Sequence, residues 1–564
     1  MAKTIGIGYQ NFADIISDGV FYIDKTDFIK EWWEAQDKVT LITRPRRFGK
    51  TLNMSMIESF FSVQYADKKE LFEGLSIWSN EKYKKLQGTY PVISLSFANI
   101  KEKKYEHTVY QICQILMMEY EKYSYILEGD VLSDTEKQIF ERNRCQLGEQ
   151  DAVLSLYRLS DYLSRYYKKK VILLLDEYDT PMQEAYVNGY WDDMLGFTRS
   201  LFNSTFKTNP YIERAILTGI TRISKASIFS DLNNMEVITV TSEKYETVFG
   251  FTEQEVFHAM EEYEVHTEEQ KNKIKQWYDG FVFGKSKDIY NPWSIINYLD
   301  KGKVATYWAN TSSNNLVGTL IKQGDKEIKM QFEQLMKGEE LKIELDEEIV
   351  FDQLKKKKGA IWSLLLASGY LKVTKVEQQG NGGREKNIYT LSITNLEVEI
   401  MFEDLVREWF DEAGSDYNDF VKALLLNDIK SMNRYMNRVA LTTFSYFDTG
   451  RKPSEAEPER FYHGFVLGLL VELRDRYMIT SNRLSGFGRY DVMIEPIDKE
   501  KIAYIFEFKV QDSEEEKNLS ETVNAALKQI EEQKYEILLT EHGIKKENIR
   551  KYGFAFCGQK VLIG

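Results

Sequence analysis

Gly49, Lys50 and Thr51 have the residue types and the spacing to bind the phosphates of a nucleotide. They follow the apolar run Val39–Thr43 and precede a stretch whose pattern predicts a helix. In a phosphate-binding loop, backbone amides and the lysine contact the phosphates, and the threonine hydroxyl binds magnesium. Arg44 occupies the position of the first glycine of this motif. The tripeptide alone is a weak indication, because it is common by chance.

An acidic pair at the end of a second apolar run supports the same chemistry. Asp176 and Glu177 follow the run Val171–Leu175. The aspartate could hold magnesium through water, and the glutamate could orient or deprotonate the attacking water. The loop and the acidic pair therefore support each other as two halves of a nucleotide site. Another strand is predicted to end at Thr218, and either Thr218 or Arg222 could sense the γ-phosphate.

These charged residues also have a plainer interpretation, as a solvated loop with balanced charges. The carboxylates and their arginine partners would then be Asp176, Glu177, Asp179, Arg44, Arg46 and Arg47. Both interpretations stay open on the residues alone.

Asp491, Glu507 and Lys509 form a second group, which could cleave a phosphodiester bond. Two strands are predicted on either side of the charged turn 498–501. Residues two apart on a strand share a face, so Glu507 and Lys509 project together while Phe508 faces the core. If Asp491 lies on that face of the neighbouring strand, two carboxylates and an ammonium converge, a set that could hold magnesium and activate water. The alternative is an exposed edge on which Glu507 and Lys509 only balance charge.

Continuous apolar runs predict the element that positions the first group. The runs are Val39–Thr43, Pro91–Leu95, Val171–Leu175, Ala215–Thr218 and Val237–Val240. Apolar runs without alternation are typical of strands covered on both faces, hence of a parallel sheet flanked by helices. The chain is therefore predicted to be of the α/β class, with a P-loop NTPase parallel sheet in residues 1–250.

The rest of the chain is predicted to contain three further regions. Residues 251–335 form a helical subdomain that begins with a capping box at Thr252–Glu255. Residues 336–450 combine a helix and hairpin in the order of a winged helix with a helical linker region. A winged helix either binds DNA or serves as a packing or dimerisation module. Beyond the polar linker Gly450–Glu459, residues 455–564 are predicted to form a second α/β domain.

Composition narrows the class of protein. The 564 residues include 74 Lys+Arg and 88 Asp+Glu, a net charge of −14, which argues against indiscriminate coating of nucleic acid but leaves room for a local basic groove. The three cysteines and five histidines are dispersed, so disulfide frameworks and zinc clusters are not expected. His463 could approach the acidic group of the last domain, although a histidine on an apolar helix face is more often a packed core residue. Without a long apolar run or a secretory signal, we expect no membrane partner and a cytoplasmic location.

Several motifs together resemble the bacterial AAA-ATPase-like family, in which arginine at the first glycine position is usual. They are Tyr9-Gln10-Asn11-Phe12, Tyr22-Ile23-Asp24-Lys25-Thr26, Arg44-Pro45-Arg46-Arg47-Phe48-Gly49-Lys50-Thr51, Leu175-Asp176-Glu177-Tyr178-Asp179, Thr218-Gly219-Ile220, Tyr290-Asn291-Pro292-Trp293-Ser294 and Tyr307-Trp308-Ala309-Asn310-Thr311-Ser312. The resemblance implies ATP and Mg²⁺ as cofactors. It implies nucleotide contacts from Arg46, Arg47, Phe48, Gly49, Lys50, Thr51 and Asp176, a magnesium site at Thr51 and Asp176, and a catalytic role for Glu177. Nucleotide binding is implied, and rapid turnover is not.

The last domain resembles the PD-(D/E)XK nuclease fold, and more closely the nuclease-like domain that accompanies AAA-ATPase-like domains. The resemblance is carried by Asp491, Glu507, Lys509 and a following helix with Gln529. It implies that Asp491 and Glu507 hold the metal and that Lys509 is the catalytic lysine. Relatives frequently have an acidic residue where this chain has Leu484, which bears on metal affinity.

These observations predict an ATP-binding, magnesium-dependent nuclease in which the N-terminal ATPase-like domain regulates DNA cleavage by the C-terminal domain. The alternative is a nucleotide-dependent switch or scaffold whose nuclease-like domain only binds a partner. Related NTPases often assemble so that an arginine of one subunit reaches the next nucleotide. The sequence is therefore compatible with either a homo-oligomer or a monomer.

Overall fold

The computed structural model of the chain describes residues 3–222, 229, 232–309, 315–322, 326–336, 338–345, 359–379, 386–411, 417–443, 466–467, 469–470, 473, 476–481, 484–485, 488–512, 516–557 and 560–564. The chain divides into two compact units. The first contains Met1–Ile321 and Gln334–Met401, and the second contains Lys322–Glu333 and Phe402–Gly564. No helix of the described residues is both long and apolar enough to cross a bilayer.

The elements up to residue 301 are α1 (Phe12–Ser17), α2 (Asp27–Ala35), β1 (Val39–Thr43), α3 (Lys50–Phe61), α4 (Glu81–Lys84), β2 (Val92–Ser96), α5 (Tyr105–Glu121), α6 (Asp134–Cys145), α7 (Glu149–Tyr167), β3 (Val171–Asp176), α8 (Thr180–Asn188), α9 (Trp191–Phe206), β4 (Ile212–Gly219), β5 (Met235–Ile238), β6 (Phe251–Thr252), α10 (Glu253–Glu262), α11 (Glu268–Tyr278), β7 (Phe281–Phe283), β8 (Ser286–Tyr290) and α12 (Pro292–Lys301). Short 3-10 helices occur at Val63–Tyr65, Lys69–Phe72, Ser76–Ser79, Ser124–Glu128 and Lys546–Asn548.

The later elements are α13 (Asn315–Lys322), α14 (Lys326–Met336), β9 (Leu341–Glu344), α15 (Ala360–Ala367), β10 (Leu371–Gln379), β11 (Lys386–Ile393), α16 (Leu396–Asp411), α17 (Tyr417–Leu425), α18 (Ile429–Thr443), β12 (Tyr477–Ser481), β13 (Leu484–Ser485), β14 (Gly488–Arg489), β15 (Val492–Pro496), β16 (Ala503–Val510), α19 (Leu519–Glu532), α20 (Glu536–Glu541), β17 (Ile549–Cys557) and β18 (Lys560–Ile563).

The N-terminal sheet has the strand order β2-β3-β4-β1-β5, and all neighbouring strands are parallel. Every residue of β1 and β3 is buried, which confirms the parallel sheet predicted from continuous apolar runs. The carboxyl ends of parallel strands meet at one edge. Because β4 lies between β1 and β3, that edge brings together the loop after β1, the acidic end of β3 and the end of β4.

The region from residue 251 to residue 301 contains the expected helices and also a small sheet. Thr252 and Glu255 form the predicted capping box, in which each side chain accepts a backbone N–H of the other residue. The antiparallel sheet β6-β8-β7 was not predicted. Its strands have two to five residues, too few for a periodic pattern to stand out.

The predicted helix and hairpin of the middle region are present as α15, β10 and β11. A further strand, β9, pairs with β11, so the sheet order is β10-β11-β9. Lys342 and Lys375 pair with Glu377 on this sheet, so part of its positive charge is balanced. The four consecutive lysines at 355–358 and the Gly-rich residues 380–383 between the two hairpin strands lie outside the described residues. The winged helix therefore stays an interpretation.

The second unit contains a mixed sheet of order β12-β15-β16-β17-β18, in which β16 and β17 are parallel and the other pairs antiparallel. Helix α19 lies in the connection between the parallel strands. Helices α17 and α18 share one hydrophobic core with one face of the sheet, while Ile530 of α19 and Leu539 of α20 lie in a core on the other. The predicted linker 450–459 and His463 lie outside the described residues.

Candidate functional sites

The loop between β1 and α3 has a backbone suited to an anion. Arg47 and Gly49 have φ values of 62° and 79°, in the left-handed region. Left-handed residues inside a turn let successive N–H groups face the same side, which produces a concave binding site for anions. Glycine adopts this φ without strain, and Gly49 is also the N-cap of α3.

The Lys50 side chain is buried within this loop, with only 3% of its surface exposed, and its ammonium is held by neighbouring oxygen atoms. Its Nζ donates to the carbonyl oxygens of Arg44 at 3.1 Å and Pro45 at 2.9 Å. The carboxylate of Glu177 lies 3.5 Å from the same nitrogen. The folded loop therefore holds the ammonium by itself, with no need of a ligand to position it.

Thr51 and Asp176, predicted from separate motifs, are hydrogen-bonded to each other. The Thr51 hydroxyl donates to Asp176 Oδ2 at 2.6 Å. The Thr218 hydroxyl at the end of β4 donates to the other oxygen of the same carboxylate. Burial, and then the adjacent Glu177 charge, raise the pKa of Asp176. The strand order thus assembles the polar group that the sequence placed at three separate strand ends.

The solvated-loop alternative does not fit the burial of Arg44, Asp176 and Asp179. Asp179 is completely buried and accepts hydrogen bonds from the backbone N–H groups of Ile220 and Thr221 at 3.1 and 2.9 Å. The buried Arg44 guanidinium donates to the carbonyls of Thr43 at 3.0 Å and Thr239 at 2.6 Å. These are structural contacts of the loop and of the turn after β4, and the sequence did not reveal them.

Aromatic side chains support the loop from one side. Phe48 is buried against Phe281 and Phe283, with ring centroids 4.7 and 5.4 Å apart. The exposed Arg47 guanidinium lies 3.8 Å from the ring centroid of Trp293. The backbone carbonyl of Arg46 accepts a hydrogen bond from the indole of Trp308 at 3.0 Å.

In the second unit, Asp491 immediately precedes β15, and Glu507 lies on the neighbouring strand β16. The register of β15 and β16 pairs Val492 with Phe506, so its continuation by one residue sets Asp491 opposite Glu507. The Asp491 carboxylate accepts a hydrogen bond from the backbone N–H of Phe508 at 2.8 Å. This contact was not predicted, because it depends on the exact register of the two strands.

Glu507 is buried between the sheet and α19, where the Gln529 amide donates to its carboxylate. Gln529 also donates to the Tyr535 hydroxyl at 3.3 Å. Gly553 pairs with Glu507 on β17, and a Cβ at this position would lie 2.7 Å from the carbonyl oxygen of Val523 in α19. The glycine therefore permits the close approach of helix and sheet that brings Gln529 to the acid.

Lys509 follows two residues after Glu507 on β16, so the two side chains share a face. Phe508 faces the opposite side, where its ring lies 4.9 Å from that of Phe554. Lys509 is half-buried. Two carboxylates and an amine on adjacent strands are a donor set that fits Mg²⁺ and a phosphate. The described residues contain no group of three or more His, Cys, Asp or Glu that could hold a metal.

Leu484 lies in β13, where its backbone pairs with Arg489 of β14. The next residue, Ser485, is buried and donates through its hydroxyl to the carbonyl of Tyr535 at 2.7 Å. Tyr535 in turn donates to the carbonyl of Arg489 at 2.6 Å. The short hairpin is thus tied to the same tyrosine that contacts Gln529.

Comparisons with known proteins support both predicted domains, the N-terminal and the C-terminal one. Residues 6–229 match the family model described as a predicted AAA-ATPase, and residues 457–564 match the PD-(D/E)XK nuclease superfamily. A relative from Azotobacter chroococcum mcd 1, described as an uncharacterized protein in the vnfD 5'region, is 25% identical over 526 residues, which cover 90% of this chain and 89% of the relative. The predicted combination of an AAA-ATPase-like and a nuclease-superfamily domain is confirmed.

Proposed function

We propose that this protein is an ATP-binding, magnesium-dependent enzyme whose N-terminal domain regulates cleavage of DNA by its C-terminal domain. The two family matches support a nucleotide-binding and nuclease-like architecture. The observation that carries the proposal is the hydrogen bond between Thr51 and Asp176, which joins the residue after the loop lysine to the acidic end of β3 in one polar site.

In the N-terminal site, we assign phosphate binding to the backbone amides of residues 46–49 and to Lys50. Thr51 and Asp176 have the hydroxyl and carboxylate oxygens to hold Mg²⁺ beside the phosphates. The metal, when bound, would neutralise charge on the phosphate oxygens. Glu177 is assigned to orient the attacking water, and its contact with Lys50 keeps it at the same edge of the sheet.

In the C-terminal site, we assign metal binding to Asp491 and Glu507. The metal would activate water and stabilise charge on the cleaved phosphate. Lys509 would place its ammonium beside that phosphate, because it shares a face with Glu507. Gln529 would orient the Glu507 carboxylate through the hydrogen bond that the two already share.

The second candidate is a nucleotide-dependent switch whose nuclease-like domain binds a partner without cleaving it. It is favoured by the presence of Leu484 where relatives frequently have an acid. It is also favoured by the described residues, which offer two carboxylates at this site and no cluster of three metal ligands. The two candidates share the nucleotide site and differ only in what the second domain does.

A cleavage assay separates them. Plasmid, linear and single-stranded DNA are incubated with the full chain and Mg²⁺ or Mn²⁺, with and without ATP. We expect cleavage by the wild type and none by Glu507→Ala. Lys551→Ala is the control for loss of a charged side chain elsewhere on the same sheet, because Lys551 lies on the adjacent strand β17 and pairs with Glu531 at 2.7 Å and Glu536 at 3.3 Å. Binding of ATP without cleavage of any DNA would support the switch.

A further inference from the structure

Glu397, in the first turn of α16, is a buried carboxylate that neither proposed reaction uses. Only 1% of the residue is exposed. Its Oε2 accepts the hydroxyl of Ser294 at 2.8 Å, and its Oε1 accepts the backbone N–H groups of Trp308 at 2.6 Å and Ala309 at 3.4 Å. These donors are all neutral, and burial raises the pKa of Glu397 to about 7. A buried carboxylate with neutral donors costs free energy, so its location calls for a physical reason.

The contacts of Glu397 lead to the phosphate loop by two routes. Trp308, whose amide Glu397 holds, donates its indole N–H to the carbonyl of Arg46. Ser294, whose hydroxyl Glu397 holds, directly follows Trp293, the residue whose ring lies against the Arg47 guanidinium. One carboxylate therefore accepts the backbone N–H of Trp308 and the side-chain hydroxyl of the residue that follows Trp293, so it contacts the chain beside both indoles that touch the loop.

The indole of Trp308 sets the orientation of one peptide unit in the loop. The C=O and N–H of a trans peptide point in opposite directions. When the Arg46 carbonyl points at Trp308, the N–H of Arg47 must point away from it. Arg47 also has the left-handed φ of 62° that an anion-binding turn requires. The ring of Trp308 is itself held between Phe281 and Tyr370, with centroids 5.4 and 5.5 Å away.

We infer that Glu397 is a positioning residue of the phosphate loop: through Trp308 and Ser294 it orients the Arg46–Arg47 peptide so that the Arg47 N–H is available to a nucleotide phosphate. This inference rests on the proposed binding of ATP at Lys50. Glu397 acts through other side chains and does not itself contact the nucleotide.

The test is a double-mutant cycle on the affinity of the full chain for ATP with Mg²⁺, measured by calorimetry. Trp308→Phe removes the indole N–H and keeps an aromatic ring for Phe281 and Tyr370. Loss of one such hydrogen bond is expected to weaken ATP binding roughly threefold to tenfold. Glu397→Gln keeps a carbonyl for the Trp308 amide, so it should weaken binding less than Glu397→Ala. The Glu397→Gln and Trp308→Phe effects should be non-additive, because both act on one contact path.

Glu119→Gln is the matched control for loss of a buried carboxylate. Glu119 is 2% exposed and accepts the N–H of Ser94 at 3.1 Å on the edge strand β2, and unlike Glu397 it also has a charged partner, Lys122, at 2.6 Å. It should lower thermal stability and leave the affinity for ATP unchanged. If the Glu397 variants behave in that way, the role of Glu397 is structural only and the inference is wrong. Additive effects in the cycle would likewise overturn it.

Failure of the inference is distinguishable from failure of the proposed function. If the wild type does not bind ATP and Lys50→Ala behaves identically, the nucleotide site itself is rejected. If the wild type binds ATP and Lys50→Ala does not, the site stands and the cycle judges Glu397 alone. Should Glu397→Ala fail to fold, Trp308→Phe still decides, because unchanged binding in that variant would remove the proposed path.

Discussion

The two candidate sites each contain a lysine beside carboxylates, but the fold holds the two lysines differently. Lys50 is buried and bound by two carbonyl oxygens and the Glu177 carboxylate. Lys509 is half-buried, and its ammonium has no hydrogen-bond or ion-pair partner among the described residues. The first ammonium is therefore part of the folded structure, whereas the second is available to a ligand.

The difference determines when each lysine loses its side-chain conformational freedom. Lys50 loses its side-chain freedom when the chain folds, so a phosphate that binds there need not order it again. Lys509 would lose that freedom only when a substrate arrives. Mutations at Lys50 should therefore affect stability and binding together, and mutations at Lys509 should affect the reaction with little effect on stability.

The largest expected effect is on DNA cleavage by the Lys509→Ala variant. Loss of one charge-stabilising group is typically worth about 10²-fold to 10³-fold in rate. Because the Lys509 ammonium has no hydrogen-bond or ion-pair partner among the described residues, the free energy of unfolding of the variant should differ from that of the wild type by less than about 0.5 kcal/mol. Cleavage kinetics and denaturant unfolding measure the two quantities. Normal cleavage by a folded variant would remove Lys509 from the site.

The next effect is on stability, in the Lys50→Met variant. Methionine keeps an apolar stem but leaves the carbonyls of Arg44 and Pro45 and the carboxylate of Glu177 without the ammonium. Breaking a buried ionic contact costs about 3 kcal/mol or more, so we expect a destabilisation of this order together with loss of ATP binding. Urea unfolding and calorimetry provide the measurements. A variant as stable as the wild type would show that the loop does not need its lysine to fold.

A smaller effect on stability should come from Gly553→Ala in the C-terminal sheet. The added methyl would lie 2.7 Å from the Val523 carbonyl, so α19 must move away from the sheet. Overpacking of this kind costs about 1 to 3 kcal/mol. Because Gln529 belongs to α19, cleavage should weaken in parallel.

Gly196→Ala is the control for this substitution. Gly196 lies in helix α9, and its added Cβ would have no neighbour within 4 Å. It should therefore be neutral or stabilise the protein by up to about 1 kcal/mol, as alanine does in a helix. Equal destabilisation by both substitutions would exclude close packing of α19 as the cause.

Sequence patterns predicted the parts of the fold that repeat along the chain. The continuous apolar runs Val39–Thr43 and Val171–Leu175 form strands on either side of β4 in the parallel sheet. They were predictable because a lack of alternation reflects burial on both faces of the sheet. Alternation on β16 likewise predicted that Phe508 faces the core. Short strands such as Phe281–Phe283 were missed, since three residues carry no period.

The candidate sites were predicted as residue types, and their supports were not. Thr51 and Asp176 were named from their motifs, and their assigned functional roles remain proposals. The bonds from Trp308 to Arg46 and from Glu397 to Trp308 join residues 262 and 89 positions apart, so no local spacing indicates them. The same holds for Asp491 and the Phe508 amide, which depend on strand register. The domain limits at residues 250, 335 and 455 also stay predictions.

The smallest effect is expected for the Thr218→Val variant, which changes the surroundings of the Asp176 carboxylate in the N-terminal site. Thr218→Val removes the hydroxyl that donates to Asp176 and keeps the β-branched shape. One hydrogen bond to a charged group is worth about 1 to 3 kcal/mol, part of which is recovered because valine suits a strand. The Thr218 hydroxyl opposes the raised pKa of Asp176, so its loss should raise that pKa further.

The consequence is a shift in the pH dependence of ATP binding with Mg²⁺. A metal requires the ionised carboxylate, so affinity falls as the pH is lowered through the pKa of Asp176. With a higher pKa, the fall in the variant should begin at a higher pH than in the wild type, while both converge where the acid is fully ionised. Calorimetric titrations between about pH 5 and pH 8 would show the displacement. If the affinity of both proteins falls over the same pH range, the Asp176 carboxylate does not control metal binding, and the contrast with the second site then rests on Lys50 alone.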